Sequence, residues 1–124
     1  MAIINYVLTD VAAGADLIVW SSMSGDDTGL PFSTPKYPEK TIHFYGDFGG
    51  GTVTIEGSND PRANPQHEDH LSASWFEIED LNGILISTST EGGEGLAQSS
   101  LWIRPVLTGA SGGNLFVSLL ARKN

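Results

Sequence analysis

Apolar and polar residues alternate along most of this chain, in short runs of about five residues separated by turn-forming residues, which is the pattern of half-buried β-strands. The strongest signal is C-terminal. Residues 101–107 and 115–120 are apolar runs around Thr108, Gly109, Ala110, Ser111, Gly112, Gly113 and Asn114, which predicts a β-hairpin. Only Ser118 breaks the second run, so that strand is expected at the centre of a sheet, covered on both faces. In the first run Leu101, Ile103 and Leu107 share one face, and Trp102, Arg104 and Val106 take the other. Pro105 removes a ladder donor, which predicts an edge position or a bulge.

The same reading applies upstream. Ile3, Ile4, Tyr6, Val7 and Leu8 predict a first strand, residues 9–15 a turn region, and residues 16–20 a second strand whose Trp20 belongs in the core. The segment at about residues 30–38 carries Pro31, Pro35 and Pro38, so it is expected to run extended and irregular over the surface. Residues 40–45 put Ile42 and Phe44 on one face; after the glycine turn at 49–51, residues 52–57 put Val53 and Ile55 inward. These two strands are a second hairpin candidate. A long polar loop follows at about 58–72. In residues 74–79 Phe76 and Ile78 are expected inward and Glu77 and Glu79 outward, and Asn82-Gly83 supplies a tight turn into a strand at 84–88. Roughly eight strands and no sustained helical period predict an all-β fold, a single-domain antiparallel sandwich, jelly-roll-like, over residues 1–124.

Charge narrows the function. Six Lys and Arg against 15 Asp and Glu give a formal charge of −9, and no Lys or Arg occurs before Lys36. Such a surface repels phosphate backbones, so nucleic acid is not expected as a partner. The absence of cysteine removes disulfides and thiolate chemistry together. The N-terminus has no cationic start of a signal peptide, and no apolar run is long enough for a membrane helix, so no membrane contact is expected.

Candidate chemistry is sparse. His67, Glu68, Asp69 and His70 are metal-ligand types, but their spacing fits neither a helical HExxH motif nor a finger, and solvated loop residues are the better reading. Asp26 and Asp27 lack the rhythm of a calcium loop. Gly49-Gly50-Gly51 lacks the Lys-Ser/Thr of a phosphate cradle and reads as a turn. Glu77 and Glu79 have a spacing compatible with a glycosidase pair, although a charged outer face is the commoner cause. No metal, cofactor or catalytic set is expected, and the chain does not read as an enzyme. Trp75 and Trp102 fall opposite the inward sets of their strands and are therefore candidate interface residues.

The succession of residues 52–60, then 75–83, then Leu101-Trp102-Ile103-Arg104-Pro105 and a glycine-rich turn into residues 115–122 resembles the capsid cement, or decoration, proteins of tailed bacteriophages, which have jelly-roll-like β folds. The resemblance spans about residues 40–123 and rests on strand-and-turn pattern. It implies a virion structural protein, made in the host cytoplasm, that sits on the outer surface of a phage capsid. There it bridges neighbouring major capsid proteins and stabilises the shell. The implied partners are the major capsid protein and further copies of the chain, as a homodimer or homotrimer. Pro31, Phe32, Pro35, Tyr37, Trp75, Trp102 and Arg104 are the candidate contacts. Two other readings stay open: a carbohydrate- or protein-binding jelly-roll module on a virion, with Trp75 or Trp102 stacking on a sugar near Glu77 or Asp80, and a small hydrolase or isomerase using the loop histidines.

Overall fold

The computed structural model describes residues 2–98 and 100–123. Among the described residues twelve strands follow in chain order: β1 (Ile3–Ile4), β2 (Tyr6–Ala12), β3 (Ala15–Met23), β4 (Thr28–Gly29), β5 (Phe32–Ser33), β6 (Glu39–Asp47), β7 (Thr52–Ser58), β8 (Phe76–Glu77), β9 (Ser87–Thr88), β10 (Gly92–Gly95), β11 (Trp102–Thr108) and β12 (Asn114–Arg122). Two single 3-10 turns, Pro61–Ala63 and His70–Ser72, interrupt the long polar loop. The strands form an all-β, jelly-roll-like sandwich. One sheet runs β1-β4-β11-β7-β8, with β5 also on β11 and β9 also on β7; the other runs β10-β6-β12-β3-β2. Among the described residues no helix is long and apolar enough to cross a membrane.

Period-two patterning decides which side chains meet between the sheets. Ile18 and Trp20 of β3, Ile42 and Phe44 of β6, and Leu115, Val117 and Leu119 of β12 face Val53 and Ile55 of β7 and Ile103 and Leu107 of β11, all essentially fully buried. β12 is central in its sheet, between β6 and β3. Its outer face is only half covered: Tyr45 stacks on Phe116 with ring centres 5.5 Å apart and shares a hydrogen bond with Ser118 at 2.9 Å, while Leu120 stays half-buried.

Neither predicted glycine-linked hairpin forms. β11 and β12 belong to different sheets, and so do β6 and β7. Packed sheets lie ~10 Å apart, and a connector of four or five residues at ~3.3 Å each is long enough to cross that gap. Both connectors do so at one end of the molecule, side by side: the Ser111 N–H donates to the Gly49 carbonyl at 2.8 Å, and Gly25 N–H to the Gly112 carbonyl at 3.0 Å. β2 and β3, turned by Ala13 and Gly14, do form a hairpin.

Pro105 does not mark an edge either. β11 pairs with β7 along its whole length and with β4 and β5 on the other side. The Leu107 N–H donates to the Asp27 carbonyl and the Leu101 carbonyl accepts from Thr34, so the odd positions of β11 point their backbone toward β4 and β5. Pro105 therefore turns its missing donor away from β7, toward Gly29 at the end of β4, and the ladder to β7 loses nothing.

The proline-containing segment is likewise less peripheral than expected. Phe32 (5% exposed) and Tyr37 (2%) are core residues rather than contacts. Phe32 pairs opposite Ile103 through β5 and meets Tyr6 edge-on, ring centres 5.4 Å apart. The Tyr37 hydroxyl donates to the buried Asp16 carboxylate at 2.6 Å, and the Lys40 ammonium donates to the Tyr37 carbonyl at 2.7 Å. Burial first, then Asp16, pushes Tyr37 up to about 12, while burial lowers Lys40. A hydroxyl whose folded value is raised contributes stability that is present below its ordinary value near 10 and lost as pH rises toward 12. Tyr37→Phe leaves a buried carboxylate short of its shortest bond, with Lys123 at 3.7 Å as its remaining cation. The expected cost is about 1–3 kcal/mol in urea unfolding at neutral pH. A loss below about 0.5 kcal/mol would show that the bond is idle.

Phe76 departs from its expected inward position. It points toward Gly57, yet β8 is an edge strand and the ring remains 40% exposed. The predicted strand at 84–88 shrinks to the bridge of Leu85 with Glu79 and the two residues of β9.

Candidate functional site

The outer face of the seven-stranded sheet carries the site. On β11 Arg104 lies opposite Glu56 of β7. Its Nε and Nη2 both donate to Glu56 Oε1, at 2.9 and 2.7 Å, and its guanidinium carbon lies 3.9 Å from the centre of the Trp75 ring, a cation–π stack. Trp75 arrives there because residues 59–75 fold back over this face.

That loop is pinned at its base. Asp60 precedes Pro61, and its carboxylate accepts from the Arg62 N–H at 2.9 Å, the arrangement of a helix cap with proline in the first position. It also accepts the Ser74 N–H at 2.9 Å and both Nε and Nη2 of Arg62. The Arg62 guanidinium, with these backbone donors, holds the Asp60 carboxyl well below the usual carboxylate range, so it is ionised throughout the neutral range. The Ser58 hydroxyl donates to the Ser74 carbonyl at 2.6 Å and accepts from the Asp60 N–H. Both ends of the loop are thereby tied together, directly before Trp75.

Between this loop and β4 lies a cleft of about 250 Å³. Leu30 and Pro31 line it from one segment, Ala63, Pro65, Leu71 and Trp75 from the other, with Arg104 and His70 as its basic members. The structure thus brings together three of the seven sequence candidates, Pro31, Trp75 and Arg104. Trp102 shares the outer face of β11 and is half-buried, outside the cleft lining. Pro35 is exposed and borders a separate shallow hollow with Leu8 and Lys36. The pattern reading missed Asp60, Ala63, Pro65 and Leu71; the Asp60-Pro61 pair is the one local signal that marks the loop as structured.

The other polar clusters have structural partners. Asp27 accepts from the Ala2 and Ser24 N–H groups, and Asp26 from the Gly109 N–H. His67 Nδ1 accepts the Asp69 N–H, and His70 Nδ1 lies 3.0 Å from the His67 carbonyl. Gln98 holds Glu79 through its side-chain amide, accepting the Glu79 N–H at 2.7 Å and donating to Glu79 Oε1 at 2.9 Å. Gly49 and Gly50 adopt positive φ in a turn closed from the Gly51 N–H to the Phe48 carbonyl. Among the described residues no three His, Cys, Asp or Glu side chains are grouped to hold a metal ion.

No family model and no curated protein matches the sequence. Among solved structures, the fold is similar to that of the SPBc2 prophage-derived protein YomS, with a TM-score of 0.59 and 9% identity, covering 91% of this chain and 99% of that one. A cupin domain from Bordetella pertussis is matched over 94% of this chain and 91% of its own at TM-score 0.38 and 8% identity. A mutant family 29 carbohydrate-binding module in complex with cellulohexaose is matched over 96% and 76% at TM-score 0.36 and 14% identity. The last two superpose too loosely to carry an argument, and the first, at its low identity, speaks to the arrangement of the two sheets alone.

Proposed function

We propose that the protein is a non-enzymatic structural component of a phage virion that binds the outer surface of the capsid and bridges neighbouring major capsid proteins. The observation that carries this reading is the convergence of Pro31, Trp75 and Arg104 on one cleft whose walls are held in place before any partner arrives. Tryptophan and arginine dominate the energetics of protein interfaces, and a pinned loop loses little entropy on binding. Protein rather than sugar is the favoured partner because the Arg104 guanidinium already stacks on the Trp75 ring, and Asp80 is buried in a turn instead of facing a ligand. The likeness of fold to a prophage-derived protein supports the setting.

Purified protein added to capsids that lack it is expected to co-sediment with the shells and to raise their temperature of disruption. Trp75→Ala and Arg104→Ala are each expected to weaken that binding about tenfold or more, on the order of 2 kcal/mol, while leaving the fold intact. If no complex sediments and the shells gain no stability, the capsid reading is wrong. Glycan-array hits that Trp75→Ala abolishes would put a carbohydrate in its place.

A further inference from the structure

The hairpin after β8 presents a second surface. Leu81 (75%), Ile84 (63%) and Leu85 (49%) are all exposed within five residues, a concentration that soluble surfaces rarely keep without a use. The tip is rigid. Buried Asp80 accepts the Asn82 and Ile84 N–H groups on Oδ1, Gly83 takes φ +77° and donates to the Asp80 carbonyl, and bridges tie Glu79 to Leu85 and Asp80 to Leu96. Leu81 lies over Gly95 of β10, where a Cβ would come within 2.6 Å of its Cδ1. Beside the tip is a groove of about 290 Å³ that Ile84, Leu85 and Gly92 share with Glu91 and Glu94.

The charged residues that line this groove, Asp80, Glu91 and Glu94, are all acidic. Residues 63–103 contain no lysine or arginine, Glu91 and Glu94 are exposed at the groove, and Lys40 of the neighbouring strand β6 is buried with its ammonium on the Tyr37 carbonyl. A second copy, bringing the same glutamates to the same place, would meet repulsion, and an anionic lipid surface would as well. We infer that the Leu81–Ile84–Leu85 tip and its Glu91–Glu94 groove form a docking surface for a partner protein that presents lysine or arginine beside apolar side chains. The apolar tip enters a pocket of the partner while the glutamates receive its cations. The groove shares no lining residue with the Trp75 cleft, so the chain has two separate surfaces to offer. The inference needs only a basic, apolar partner and stands whether or not the cleft holds a capsid protein.

The test uses the full chain and three synthetic probes: a peptide of alternating lysine and leucine, its glutamate–leucine counterpart, and oligolysine of the same charge. The lysine–leucine peptide is expected to bind, to shift backbone amides of residues 80–96 in NMR spectra, and to weaken several-fold between low and physiological salt. The other two are expected to bind at least tenfold more weakly. The double variant Ile84→Ser and Leu85→Ser, both exposed and so compatible with folding, is expected to lose at least tenfold in affinity at unchanged thermal midpoint. Glu91→Gln with Glu94→Gln is expected to flatten the salt dependence. Equal binding of oligolysine, amide shifts elsewhere on the surface, or an unaffected serine variant each overturns the inference. Concentration-dependent shifts of residues 80–96 without peptide would make a second copy the occupant and overturn it as well.

Discussion

Trp20→Ala is expected to lower the thermal midpoint by roughly 10–20 °C, corresponding to about 3–5 kcal/mol of stability. Trp20 is fully buried between the sheets, with Tyr6 edge-on at 5.8 Å between ring centres. Alanine leaves a cavity that the two sheets, held by long ladders, cannot collapse into. It also orphans the Leu30 carbonyl, which accepts the indole N–H at 3.0 Å. That carbonyl belongs to the segment that supplies Leu30 and Pro31 to the cleft, so partner binding is expected to weaken along with stability. Trp20→Phe separates the two causes: it keeps most of the apolar volume and loses the donor, and a cost of about half is expected. Calorimetry of both variants is the measurement. An alanine variant within about 1 kcal/mol of the parent would mean that the tryptophan is not a keystone of the core.

Gly29→Ala is expected to cost about 3 kcal/mol, at the upper end for overpacking. The backbone of Gly29 is not in the left-handed region; the constraint is space. A Cβ there would lie 2.5 Å from Pro105 Cδ, 2.6 Å from Pro105 Cγ and 2.8 Å from Trp20 Cδ1. The Pro105 ring is rigid and Trp20 is enclosed, so neither yields cheaply. β4 would have to withdraw from β11, opening the cleft wall that begins at Thr28. Gly92→Ala is the control, since its Cβ would meet nothing within 4 Å. The control is expected to stay within about 0.5 kcal/mol of the parent in urea unfolding. Equal midpoints for the two alanine variants would show that β4 shifts freely and that the close approach is not a constraint.

Which face each strand buries was legible in the sequence because side-chain direction alternates by local geometry. Ile42 with Phe44, Val53 with Ile55, and Ile103 with Leu107 all point as the pattern predicts. Edges are where that reading falters: Phe76 has the right direction but lies on an edge strand that leaves it exposed. Prolines misled for a related reason. Pro105 and the Pro31–Pro35 region are judged locally by a missing donor, whereas the structure turns the Pro105 donor position away from β7, against Gly29 of β4, and folds Phe32 into the core. The site was half legible. Trp75 and Arg104 could be picked out as outward residues of strands, but nothing within a few residues of either says that the two stack.

What the sequence by itself determined is the class of fold, the inward and outward faces, the places where the chain turns, and the sign of its surface charge. Those follow from backbone geometry and side-chain chemistry within a few residues. Only the tertiary structure decided which strands pair. A glycine-rich connector of four or five residues suits a hairpin and a crossing between sheets equally, and burial of both inner faces at once selected the crossing. It also decided where the long loop lies, and hence the cleft. Asp60 with Ser74, Arg104 with Glu56 and Pro31 with Trp75 are contacts between residues far apart in the chain, and closing them is rewarded only when the whole sandwich has formed.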